Sequence, residues 1–101
     1  MLHLIDTHCH LTALSNEEVT ALLLRSREAG VTRMVCIGAS EGDASGFSAV
    51  QLAEGHPEIF ATVGIHPHDA GSFLSLHSQM ELLSHPRVVA IGETGLDFYR
   101  D

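Results

Sequence analysis

The stretch LHLIDTHCHL, Leu2 to Leu11, decides how this chain is read. Its first half is mostly apolar and predicts a short β-strand. Its second half sets Asp6, His8 and His10 two residues apart. Side chains of an extended chain alternate between faces, so these three are expected on one side and Thr7 and Cys9 on the other. Two imidazoles on one side of a strand end can grip one divalent cation, each through a ring nitrogen. The plainer alternative is two surface histidines in a loop, and the rest of the chain has to decide between them.

Downstream, Ser15 opens a helix that Glu18 can close into a reciprocal cap. Val19, Leu22, Leu23 and Ala29 give it an apolar stripe, and Gly30 is placed to end it. Val31 to Ile37 predicts a second strand. Ser40 to Asp43 is another capping signal, for a helix running to about Gly55 with Phe47, Val50, Leu52 and Ala53 inward; Gly46 weakens it. His56-Pro57 breaks the chain, because the residue before proline avoids helical geometry. Ile59 to Val63 predicts a third strand, ending in Gly64-Ile65-His66-Pro67-His68. Phe73 to Leu83 predicts a third helix, with Met80 and the leucines in the core. After His85-Pro86, Val88 to Ile91 predicts a fourth strand, ending in Gly92-Glu93.

Strand, helix, strand at this period is the parallel βαβ unit, and apolar strands fit a sheet buried on both faces. Parallel units carry every strand C-terminus to one edge, the edge where (β/α)8 barrels hold their active sites. His8 and His10 end the first strand, His66 and His68 the third, and Glu93 the fourth. Ligand-type residues thus converge on one rim, which favours metal binding over loop histidines. The expected fold is α/β: a TIM barrel present as its first four βα strands, with residues 1–101 as one domain. A half barrel leaves two strand edges open, which predicts self-association through them.

Composition narrows the function. A net charge of −8 and five arginines with no lysine argue against a basic nucleic-acid-binding patch. They do not exclude a phosphodiester substrate held by cations. Eight histidines in 101 residues are a surplus that metal ligation would explain. Cys9 and Cys36 suggest no disulfide framework, and free thiols give a cytoplasmic location as the default. No apolar run is long enough for a membrane span.

LIDTHCHL (Leu4–Leu11), GIHPHDA (Gly64–Ala70) and VVAIGETGLDFYRD (Val88–Asp101), in that order and spacing, resemble the TatD family of metal-dependent deoxyribonucleases. The resemblance covers the whole chain, and the last string is the most specific. It implies a (β/α)8 barrel of the amidohydrolase type. It implies hydrolysis of phosphodiester bonds in DNA, often from the 3′ end, at a site for two divalent cations: zinc, magnesium or manganese. It further implies that His8 and His10 ligate one metal and that Glu93 bridges both and is central to catalysis. The family's remaining ligands, two histidines and an aspartate, lie on later strands and have no counterpart here. With no lysine in the chain, a carboxylated lysine cannot bridge the metals, so within it the bridge falls to a carboxylate such as Glu93.

Other residues have balanced readings. His66 and His68 either contact substrate or orient a ligand, or they stiffen the loop around Pro67. Asp6 either orients a ligand histidine or accepts backbone donors. Arg100 either meets a substrate phosphate or is a solvated loop arginine. Two other readings of the whole stand beside the nuclease. One is a truncated, non-catalytic fragment that binds metal weakly or self-associates. The other is an amidohydrolase-like enzyme acting on an amide or ester.

Overall fold

A computed structural model describes residues 3–38, 45–64 and 80–93, the side chain of Ser45 excepted. Its elements run in chain order as β1 (Leu4–Cys9), α1 (Asn16–Glu28), β2 (Val31–Cys36), α2 (Ser45–Gly55), β3 (Ile59–Val63), a 3-10 turn (Leu82–Ser84) and β4 (Val88–Ile91). Helix α1 begins where its capping box dictates. The Glu18 amide donates to Ser15 Oγ at 3.1 Å, and the Ser15 amide donates to Glu18 Oε1 at 3.0 Å. The chain leaves α1 through Gly30, whose φ of 95° is left-handed backbone that glycine adopts without strain.

The four strands form one parallel sheet in the order β1-β2-β3-β4. Its core is a single cluster. Val19 and Leu23 from α1 and Ala49, Val50 and Ala53 from α2 pack on Met34 and Cys36 of β2 and on Ile59, Ala61 and Val63 of β3. Ile59 is fully buried, and removing such a side chain to alanine costs about 2–5 kcal/mol. Gly38, just past β2, permits the close approach of β3 and α2: a Cβ there would stand 2.3 Å from the Thr62 carbonyl oxygen of β3 and 3.2 Å from Ala49 Cβ of α2. At the other end of the strands, Arg87 ties β4 to the start of β3. Its Nη2 donates to the carbonyls of Pro57 and Ile59 at 2.6 and 2.7 Å, and the guanidinium lies 4.1 Å over the Phe60 ring.

Several expectations need correction. Burial on both faces is approached only in β3, where Phe60 alone is partly exposed; β2 buries Met34 and Cys36 but leaves Arg33 exposed, and the outer strands β1 and β4 are almost wholly exposed. Among the described residues they are the two edges of the sheet, so each lacks a described neighbour on one side. For the same reason Met80 and Leu83, expected in the core, are exposed; the described residues place nothing beyond β4 to cover them. Phe47 also points outward from α2, while Ala49 supplies an inward position. Strict alternation fails along β1. Asp6 pairs with Met34 and Cys9 with Cys36, so β1 carries one residue more than β2 between those pairs. The Ser40–Asp43 cap, most of the third helix, His66, His68 and Arg100 lie outside the described residues.

Candidate metal centre

His8 and His10 stand at the end of β1, and Glu93 stands two residues past β4. In the sheet order these strands are the furthest apart. In a flat sheet, three steps of ~4.8 Å would separate them by about 14 Å. Yet His8 Nε2 lies 3.6 Å and His10 Nε2 lies 3.8 Å from Glu93 Oε2. The sheet therefore curls, and the three side chains reach across its mouth. The two imidazoles meet edge to face, with ring centroids 5.0 Å apart.

One ligand atom from each residue falls within 4.8 Å of the others. Donors bound ~2.0–2.2 Å from one cation stand roughly 3.3–4.3 Å from each other. The two histidine–glutamate separations lie in that range without rearrangement. Two neutral imidazole nitrogens and one carboxylate oxygen also suit a borderline divalent ion. These residues fit a cation.

Behind Glu93 the backbone is tightly held. The Gly92 amide donates to the Val63 carbonyl at 3.0 Å. Thr62 Oγ1 donates to the Gly92 carbonyl at 3.2 Å and accepts the Gly38 amide at 3.2 Å. Gly64 abuts Gly92 so closely that a Cβ there would lie 2.7 Å from the Gly92 oxygen. Thr62, only 3% exposed, is a buried polar side chain in the apolar run of β3. Sequence reading passed over it, although one hydroxyl among Ile59, Phe60, Ala61 and Val63 is itself a signal that something must partner it.

Asp6 Oδ1 accepts the His8 backbone amide at 3.0 Å, so the hydrogen bond it makes at the strand end is to backbone. Cys9 and Cys36 are free thiols. Burial, helped by Cys36 and Asp6, pushes the Cys9 thiol up to about 12, and burial also raises Cys36. Neither thiol is a ready nucleophile or thiolate ligand.

Comparison with known proteins places this geometry in context. The model of the family described as TatD related DNase matches residues 5–101. A protein of Musicola paradisiaca named 3'-5' ssDNA/RNA exonuclease TatD is 44% identical over 84 residues, which are 80% of this chain and 31% of that one. The uncharacterized metal-dependent hydrolase YabD of Bacillus subtilis is 35% identical, over 97% of this chain and 39% of its own. The crystal structure of YJJV, a TatD homolog from Escherichia coli K12, superposes with a TM-score of 0.82 at 31% identity, covering 94% of this chain and 38% of that one. The chain thus spans between 31% and 39% of the length of these relatives.

Proposed function

The chain belongs to the TatD related DNase family, and from that premise we propose that it is the N-terminal part of a metal-dependent hydrolase cleaving phosphodiester bonds of DNA from the 3′ end. The observation that supports this most is the convergence of His8, His10 and Glu93 from opposite edges of one parallel sheet. His8 and His10 hold one divalent cation, zinc, magnesium or manganese, with Glu93 as the third donor. A carboxylate carries two oxygens where an imidazole offers one metal-facing nitrogen, so Glu93 is the side chain of the three suited to bridge two metals. A bound cation supplies neutralisation of the phosphate oxygens and an acidified water. The residues themselves orient that charge at the rim, where a substrate arrives from solvent; the His8 side chain is 54% and the His10 side chain 42% exposed. A chain with a net charge of −8 needs such cations before it can approach a nucleic acid.

Relatives carrying the exonuclease name act on single-stranded DNA or RNA by that name, and either polymer suits the proposed chemistry. Among the described residues no helix is long and apolar enough to cross a membrane. A cytoplasmic location belongs to the same proposal and is supported by the two free thiols. A 5′-labelled single-stranded oligonucleotide tests the activity. With Mn2+ present, a full-length protein carrying these residues is expected to shorten it from the 3′ end, and EDTA or Glu93→Ala is expected to stop this. Shortening that survives both contradicts the proposal.

A second reading is favoured by one observation: the described residues bring together three candidate ligands on a sheet of four described strands. On that reading the 101 residues alone bind a cation and self-associate without turnover. A chain that binds Zn2+ but leaves the oligonucleotide intact supports it. The alternative of an amide or ester substrate finds no support in the names of the relatives.

A further inference from the structure

We propose that Thr62 is a positioning residue that sets Glu93 at the mouth of the sheet. This rests on the reading of His8, His10 and Glu93 as a cation site. Glu93 lies beyond the last paired residues of β4, Ile91 with Val63, and one residue past the Gly92 amide that donates to the Val63 carbonyl, so the ladder does not reach it. Its direction depends on the peptide before it, and the carbonyl of that peptide is Gly92 O. Thr62 Oγ1 donates to this oxygen at 3.2 Å. The same hydroxyl accepts the Gly38 amide at the end of β2, also at 3.2 Å. One buried side chain on β3 thereby links the ends of its two neighbours, β2 and β4, directly beneath the rim.

The chemistry of threonine suits this role. A hydroxyl gives one proton and accepts through its lone pairs, so it can serve an amide on one side and a carbonyl on the other at once. Its β-branch restricts χ1 and holds the oxygen in place. Valine has nearly the same shape but neither donates nor accepts. Serine keeps both hydrogen bonds and loses only the methyl group. The Gly64–Gly92 approach leaves no room for a side chain on the facing strand, so the Gly92 peptide is fixed by contact on one side and by the Thr62 hydroxyl on the other. Groups that orient a metal ligand commonly govern affinity by about 10–100-fold, and Thr62 acts here through backbone.

Zn2+ titration of the 101-residue chain, followed by calorimetry, tests this. Thr62→Val is expected to weaken Zn2+ binding about 10-fold, and Thr62→Ser is expected to bind within about 3-fold of the parent. In a Glu93→Ala background, Thr62→Val is expected to change Zn2+ affinity little, because the ligand it positions is gone. A general loss of packing would instead weaken binding in both backgrounds. Circular dichroism in EDTA establishes that each variant is folded, and Thr62→Ser keeps the test decisive if the valine variant is not. Parent-like binding by Thr62→Val overturns the role of Thr62 and leaves the cation site standing. Absence of Zn2+ binding by the parent chain overturns the cation site and this inference with it.

Discussion

Glu58, just ahead of β3, shows how a single carboxylate couples the fold to pH. Its own backbone amide, and then the Arg27 guanidinium of α1, hold the carboxyl below its ordinary value of 4.5 against an opposing effect of burial. A group with a lowered folded pKa stabilises the protein above its unfolded value, and that contribution is lost as pH falls through the folded one. The urea midpoint of the parent chain should therefore fall on acidification below pH 4.5 more steeply than that of Glu58→Gln. Parallel midpoint curves would show that neither the Glu58 amide nor Arg27 favours the charged carboxyl in the folded state. At this same scale the sequence was legible in part. His8, His10 and Glu93 announced themselves by residue type at strand ends. Arg87 did not, and Thr62 signalled only that a hydroxyl needed a partner, because the partners of both lie 24 to 30 positions away along the chain.

The elements were the most legible level. The capping box and Gly30 bound α1 as expected, and β3 and β4 run over the residues that their apolar character indicated. The Ser15 cap is expected to be worth about 1 kcal/mol, so Ser15→Ala should lower the unfolding free energy by roughly that amount in denaturant titrations. No change would mean that tertiary packing alone sets the start of the helix. What the patterns misjudged was coverage. Periodicity identifies which face of a segment is apolar, not whether another element lies over it. Phe47 and Met80 were expected inside on that basis and are exposed. The extra residue in β1 was equally hidden, since a bulge depends on the strand beside it and not on the residues that form it.

At the scale of the whole molecule, the described residues form a curled parallel sheet with helices packed on its centre and, among those residues, no strand outside β1 or β4. Leu4 and Ile5 on β1 and Val89 and Ile91 on β4 are each about half exposed or more. Unpaired edges carrying apolar side chains are templates for further strands. The chain spans 31% and 39% of two relatives, whose remaining length is where further strands would lie. Made alone, this chain should elute from a size-exclusion column as a dimer or larger species, and an Ile5→Lys, Ile91→Lys variant should shift toward monomer. A monomeric parent would show that the edges are tolerated in water.

The central claim is that His8, His10 and Glu93 share one cation. Competition of the chain with a chromophoric chelator for Zn2+ tests it most directly. The account predicts Zn2+ binding that His8→Ala, His10→Ala and Glu93→Ala each weaken by at least about 10-fold. Affinity unchanged in all three variants would contradict it.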